Sequence, residues 1–276
     1  MRNARRITTI RKKAINMFIS SGEIRSSARQ QLRGMWGKAA FVFLVYHLII
    51  LPYSFFTYSN IMAVYIPWLP SFRVLSVPLE VASFIITGPF ALGFANYFLG
   101  IIRSKEFSVN GIFYGFKHFK RSFVLNMAIA FLLILWCSGP VILGAVVLGI
   151  PGLIMGSIIS LIILIVKSLQ YSMAFYIMHD DDNHYLGIFE IIKDSMIMTI
   201  GLKGELFKLY VSFLGWILLG ALTLGVGYLW ITPYFELSKA NFYENVNGEK
   251  KICNSCRLEV VVNLPQCPRC QGEVFS

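Results

Sequence analysis

The chain has 276 residues, of which 56% are hydrophobic and only 14% charged, with a formal net charge of +11. Mean hydropathy is +0.65, and soluble domains carry roughly 25% charged residues, so this much apolar surface cannot be hidden in a water-soluble fold of this length. The sequence contains no Walker loop, no G-x-S-x-G, no H-E-x-x-H and no dinucleotide G-x-G-x-x-G, so no catalytic site can be derived from it.

Ten of the 25 Lys and Arg lie in residues 1–38, against one acid, Glu23. A basic arm ahead of a first span suits a cytoplasmic N-terminus and anionic lipid headgroups. Nucleic acid is the other usual partner of such an arm and ranks lower because this one abuts the membrane. The stretch Ala14–Ile19 is too short for a signal-peptide core and contains Asn16, and no small-residue cleavage site follows. Residues 1–24 read as an amphipathic arm, with Ile7, Ile10, Ala14, Met17 and Phe18 on one face and Arg2, Arg5, Arg6, Lys12 and Lys13 mostly opposite. The alternative is a frayed basic tail.

Residues 25–246 read as a membrane domain. Six apolar stretches approach the length needed to cross about 30 Å of hydrocarbon: Ala39–Thr57, Leu75–Ile102, Ser122–Ile142, Gly152–Met178, Leu206–Leu224 and Val226–Tyr243. The turn between the last two is short enough that they could form one hairpin that does not reach the far side. Arg103, Lys105, Lys117, Lys120 and Arg121 place the segment after the second span inside, while residues 58–73 and 139–152 carry one cation between them and suit the outside. An even number of spans leaves both termini in the cytoplasm. Short amphipathic segments precede the span pairs at Glu23–Lys38, Phe107–Arg121 and Asn183–Lys203. The second holds Gly111-Ile112-Phe113 and the third Gly187-Ile188-Phe189, which suggests a repeated unit of interfacial helix plus hairpin.

Several polar residues fall inside these spans. Lys167 lies about 11 residues, or about 16 Å, from the inner end of the fourth span. A charge at that depth is costly unless paired or hydrated, which makes Lys167 a candidate for function. The other readings are a buried structural pair, or a span shifted so that Lys167 is interfacial. Glu80 lies near the outer start of the second span and His47 in the first. Were these three to converge, they would make a polar path for a proton or an anionic lipid. Asn96 and Asn126 are expected to hydrogen-bond neighbouring helices. His179-Asp180-Asp181-Asp182-Asn183-His184 resembles a metal cluster, but its acids are expected to end one helix and cap the next. Cys137 reads as a packing residue.

Residues 247–276 hold Cys253-x-x-Cys256 and Cys267-x-x-Cys270, with β-prone Leu258–Val262 between them. Each pair offers two thiolates from one tight turn, and two pairs complete a tetrahedral set, so a structural zinc ribbon is expected. Disulfides need an oxidising compartment, and iron is the remaining alternative for four thiolates. A closed Cys₄ site leaves no open coordination position, which favours structure over catalysis. Arg257 and Arg269 balance Glu259 and Glu273, so a cytoplasmic protein partner suits the module better than nucleic acid.

From Arg25 to Val246 the chain resembles the bacterial integral membrane family known as domain of unknown function 975. The resemblance rests on Ala28, Leu32, Gly34, Trp36 and Gly37; on Gly93, Tyr97, Leu99 and Arg103; on Gly115-Phe116-Lys117; and on Ser172, Tyr176-Ile177 and Asp180. The most specific part is the last third, with Ser195, Met198, Phe207, Ser212-Phe213-Leu214-Gly215-Trp216, Gly225-Val226-Gly227, Trp230, Pro233-Tyr234 and Phe242-Tyr243. More distantly it is similar to the membrane domain attached to some glycerophosphodiester phosphodiesterases. That implies residence in the plasma membrane of Gram-positive-type bacteria, close to lipid or envelope metabolism, and supplies no catalytic residues. The expectation is an all-α, six-span bundle with interfacial helices and a C-terminal β zinc ribbon. The leading role is a non-enzymatic membrane adaptor. A transporter or lipid-handling protein working around Lys167 is the second, and a membrane-embedded enzyme relying on His179–His184 the weakest.

Overall fold

A computed structural model describes residues 20–49, 73–103, 109–181, 185–223 and 225–247, together with the backbone of 250–252 and 259–261. The amphipathic face proposed for residues 1–19, the outer segment 58–72, Asp182, Asn183, His184 and the cysteines Cys253, Cys256, Cys267 and Cys270 lie outside the described residues.

Helix α1 (Ser21–Gln31) opens on a capping box: Ser20 Oγ accepts from the Glu23 N–H at 3.1 Å, and the Glu23 carboxylate accepts from the Ser20 N–H at 3.3 Å. Its apolar face, Ile24, Ala28 and Leu32, is buried. Helix α2 (Trp36–Ile49) is the described part of the first expected span. Helix α3 (Arg73–Ile102) follows. A 3₁₀ turn at Val109–Phe113 and the short α4 (Tyr114–Lys117) fold back against it. Gly93 and Gly115 allow this contact. A Cβ on Gly93 would overlap the Ile112 carbonyl, and one on Gly115 the Pro89 carbonyl.

Segment α5 (Phe119–Tyr171) is two helical arms joined at a kink. With α6 (Ala174–Asp180) it makes a 62-residue apolar segment, which if straight would be about 93 Å long, three times the hydrocarbon thickness. Gly149 breaks it at φ 63°, ψ −137°, a conformation open to glycine and strained for L-residues. Pro151 then starts the return arm, where its missing N–H costs nothing. The arms meet through small residues. Ser160 Oγ donates to the Cys137 carbonyl at 2.6 Å, a Cβ on Gly144 or Gly152 would overlap the other's carbonyl, and one on Gly156 would overlap that of Pro140. This is close packing by small side chains, the way helices associate in lipid. Cys137 packs at this seam, as expected.

Helix α7 (Ile188–Met198) leads to α8 (Lys203–Ser212) and α9 (Leu214–Leu222), which together form one apolar segment. A turn around Gly225 returns the chain as α10 (Tyr228–Asn247). Strands β1 (Lys250–Ile252) and β2 (Glu259–Val261) pair antiparallel, with Lys250 opposite Val261.

Where the sequence predicts six spans, three helical segments among the described residues are long and apolar enough to cross a membrane: Val77–Ile102, Phe119–Asp180 and Lys203–Leu222. The sixth expected span is a helix but not one of these. From Pro233 to Val246, α10 is the buried axis of the bundle and carries Glu236, Lys239, Asn241 and Glu244 among its neighbours. The tripeptides taken as a repeat are not equivalent either. Gly111-Ile112-Phe113 lies in the 3₁₀ turn, whereas Gly187 precedes the first residue of α7.

Burial divides the molecule into two halves. One half is closed, with a core of Leu32, Phe98, Leu99, Ile112, Met173, Ile191, Leu209 and Phe242. In the other, apolar residues face outward. Val77 and Val81 on α3, most of α5 from Phe131 to Val166, and Leu214, Leu218 and Leu222 on α9 are exposed. The most apolar window of the α5–α6 segment is 17% buried, against 61% for that of α3, so the hairpin projects from the bundle as a bare hydrocarbon surface.

Candidate polar site at the base of the bundle

The closed half ends in a cluster of charges drawn from three helices. Arg103, just past α3, grips Asp180 at the end of α6 with two parallel hydrogen bonds, Nη1 to Oδ1 and Nη2 to Oδ2, each 2.8 Å. The same guanidinium donates to Glu244 on α10 from Nη2 at 2.9 Å and from Nε at 3.2 Å. The planar fork of arginine suits such bidentate pairing. The remaining lone pairs of Asp180 are filled by the Tyr243 hydroxyl at 2.8 Å and Asn247 Nδ2 at 3.2 Å, and His179 Nδ1 lies 3.0 Å from Oδ1.

The cluster extends in two directions. His179 Nε2 is 3.1 Å from Asn96 Oδ1, and Asn96 Nδ2 donates to the Gly111 carbonyl at 3.0 Å, which joins α3 to the 3₁₀ turn. On the other side Tyr243 stacks on Tyr176 with centroids 5.2 Å apart. The Tyr176 hydroxyl reaches the Glu236 carboxylate at 3.5 Å, and Glu236 pairs with Lys239 at 3.0 Å. Hydrogen bonding to the Asp180 carboxylate holds the Arg103 guanidinium in its charged form despite burial, and Glu244 adds to this.

A second pair sits alongside. Arg121, at the start of α5, pairs with Asp181 and also donates from Nη2 to the Leu186 carbonyl at 2.7 Å. Burial pushes the Asp181 carboxyl up, but Arg121 and the backbone N–H groups of Leu186 and Tyr185 outweigh it and hold it below the ordinary carboxylate value. A group depressed on folding adds stability above its unfolded pKa of about 3.9, and loses it as pH falls through the lower folded value. Asp181→Asn should therefore melt lower than the wild type at pH 7, and the gap should narrow as the pH is taken below about 4. A constant gap between pH 7 and pH 3 would show that Asp181 contributes nothing through its charge.

The acids of His179–His184 do end one helix, since α6 stops at Asp180 with Asp181 as its C-cap. Asp180 and Asp181 do not, however, cap the following helix. They bind Arg103 and Arg121, and α7 is instead capped by Glu190, whose carboxylate accepts from the Gly187 N–H at 2.9 Å. Among the described residues no group of three or more His, Cys, Asp or Glu could hold a metal ion.

The three polar residues singled out within the spans do not meet. Glu80 is exposed on the outer part of α3. His47 Nδ1 lies 2.7 Å from the Phe43 carbonyl of its own helix, beside the rings of Phe43 and Tyr46. Lys167 Nζ stands 3.9 Å over the Trp136 ring, across the hairpin. No hydrogen bond or ion pair links any two of them among the described residues. Asn126 and Asn96 do bond across helices as expected, Asn126 Nδ2 to the Phe84 carbonyl at 3.3 Å.

Counted from the Gly149 turn, Lys167 is 167 − 149 = 18 residues along the second arm of α5, or about 27 Å. Beyond that arm, Ala174, Tyr176, Ile177 and Met178 of α6 are buried in protein.

Sequence reasoning missed the Arg103–Asp180–Glu244 cluster as a unit. Arg103, Tyr176, Asp180 and Tyr243 were each among the residues that carry the resemblance, but nothing in their spacing shows that they touch.

Comparison with known families finds two stretches, residues 17–150 and 138–250, that match the model of a family described as a protein of unknown function (DUF975). No curated protein matches the chain, and no solved structure does.

Proposed function

The chain belongs to the DUF975 family, and from that premise we propose that it is a non-enzymatic adaptor of the bacterial plasma membrane. Its C-terminal Cys₄ module would dock a cytoplasmic protein onto the bilayer. The observation that carries this reading is the attachment of the module. Asn247, the last residue of α10, donates to Asp180 Oδ2 and to the Tyr243 hydroxyl. Only two residues of sequence separate Asn247 from Lys250, where β1 begins. So short a tether would keep the start of the module near the end of α10, and a docking surface restricted in this way would lose less entropy on binding.

Both termini are proposed to lie in the cytoplasm. Gln31 on α1 and Asn241 on α10 exchange two amide hydrogen bonds, of 3.2 and 2.7 Å, which keeps the two ends of the membrane domain together. Six passes fit this arrangement: α2, α3, the two arms of α5, α8 with α9, and α10, whose polar residues are shielded by other helices rather than by lipid. The basic arm would sit on anionic headgroups. Proximity to lipid or envelope metabolism, implied by the distant resemblance to phosphodiesterase membrane domains, belongs to the same proposal. The lack of contact among Lys167, Glu80 and His47 weighs against a transport path through them.

Zinc, predicted at Cys253, Cys256, Cys267 and Cys270, would supply the folding energy of so short a module. Removing it with a chelator, or making Cys253→Ser, should abolish capture of a cytoplasmic partner and release one zinc per chain. The melting temperature of the membrane part should stay within about 2 °C of the wild type. Capture that survives the loss of zinc would overturn the adaptor reading.

A further inference from the structure

Helix α1 buries Ile24, Ala28 and Leu32 and carries three arginines beside that face. Arg29 and Arg33 are exposed, and Arg25 is half-buried. Arg25 and Arg29 are one helical turn apart, which sets their Cβ atoms about 5–6 Å from each other. Arg33 follows the C-cap Leu32. Among the described residues none of the three forms an ion pair. Arg103, Arg121, Lys208 and Lys239, by contrast, each hold a carboxylate. Neighbouring cations without a counter-ion repel one another unless an anion joins them.

The surroundings indicate which anion. Arg29 Nη2 donates to the Tyr234 hydroxyl at 3.4 Å, and the guanidinium carbon stands 5.8 Å from the centre of that ring. The remaining N–H groups of Arg29 have no protein partner among the described residues. The Tyr234 hydroxyl itself donates to the Arg25 carbonyl at 3.2 Å. Tyr234 also packs on Trp36, with centroids 6.2 Å apart, and Trp36 is the first residue of the apolar helix α2. The arginines therefore stand where α2 begins, ahead of its exposed Phe41, Leu44 and Leu48, a surface for acyl chains. Indole and phenol rings are the side chains that settle at headgroup level, and the guanidinium fork matches the oxygens of a phosphate. A phosphate whose own chains continue along α2 suits both the arginines and the apolar face. A free anion or an acidic protein segment suits only the arginines.

We propose that Arg25, Arg29 and Arg33 form a binding site for the phosphate of an anionic glycerophospholipid, its acyl chains lying along α2. The inference rests on the membrane placement proposed above and goes beyond the adaptor role, which makes no use of these arginines.

The test uses the full-length protein in mild detergent, titrated with phosphatidylglycerol, phosphatidylcholine or inorganic phosphate and read by native mass spectrometry. Wild type should retain phosphatidylglycerol roughly ten-fold more strongly than phosphatidylcholine, and Arg29→Gln and Arg33→Gln should each lower that ratio about five-fold. Arg33 makes no side-chain hydrogen bond among the described residues. Arg33→Gln should therefore elute and melt as the wild type does, so that its loss of lipid is a loss of binding. Lys193→Gln removes the same charge from an exposed position on α7 and should leave the ratio unchanged. An equal fall in Lys193→Gln would trace the preference to net charge and overturn the site. Equal retention of phosphatidylglycerol by wild type and both arginine variants would overturn it too, and an acidic protein lost from those variants would then assign the arginines to that protein. Displacement of the lipid by millimolar inorganic phosphate would mark a site for the free anion instead. Equal retention of both lipids by the wild type would sink the headgroup site and leave the adaptor reading standing, because that reading is tested at Cys253.

Discussion

Replacing Arg103 by Met should lower the melting temperature of the detergent-solubilised protein by roughly 10 °C. Arg103 holds Asp180 and Glu244 at once. Without it two carboxylates from different helices face each other with no cation between them. Breaking a fully buried pair from one side costs about 3–5 kcal/mol. The Arg103 and Asp180 side chains are 24% and 23% exposed, and Asp180 keeps Tyr243, Asn247 and His179 as partners, so a discounted loss of about 2–4 kcal/mol is expected. Arg103→Lys should recover only part of it, because an ammonium keeps the charge but cannot fork to both oxygens of Asp180 while reaching Glu244. Arg103→Met should also increase proteolysis just after Asn247, since the Asn247 side chain donates to Asp180 and Tyr243. A melting point within 2 °C of wild type, with no new cleavage near residue 247, would show that the cluster is not what holds the base of the bundle together.

Gly93→Ala should be as damaging, although it adds a single methyl group. The new Cβ would overlap the backbone carbonyl of Ile112, whose own side chain is fully buried. A flexible side chain could swing aside, but a carbonyl cannot move without moving the 3₁₀ turn. That turn supplies Gly111 to Asn96, and Asn96 reaches His179, so the shift would propagate into the charged cluster. Overpacking of this kind costs about 1–3 kcal/mol and sometimes more. Gly215→Ala is the control. Nothing lies within 4 Å of the added Cβ there, and alanine is favoured over glycine by about 1 kcal/mol inside a helix. The two variants should therefore move the melting temperature in opposite directions. A neutral Gly93→Ala would mean that the 3₁₀ turn does not pack against α3 as described.

Membrane character was legible in the sequence because it depends on composition and on run length. A stretch such as residues 141–166 is apolar whatever it packs against, and hydrocarbon thickness sets the length it needs. A break between the third and fourth expected spans was legible too, but the sequence set it across residues 139–152, whereas backbone sterics place it at Gly149. The cysteine pairs and their expected zinc are readings of sequence spacing alone.

Tertiary structure decided what contact determines. Sequence cannot show that residues 103, 180 and 244 share one guanidinium, because nothing local records which helix ends come together. Hydropathy counts apolar residues without asking whether lipid or protein covers them, and Ala174, Tyr176, Ile177 and Met178 are covered by protein. α10 shows the same ambiguity from the other side. Its apolar residues, read as a sixth span, are largely buried against other helices, and that burial lets it carry Glu236, Lys239 and Glu244. The charge of Lys167 was plain from the sequence, but its place over the Trp136 ring of the other arm was decided by where α5 turns, because a contact depends on distance in space rather than along the chain.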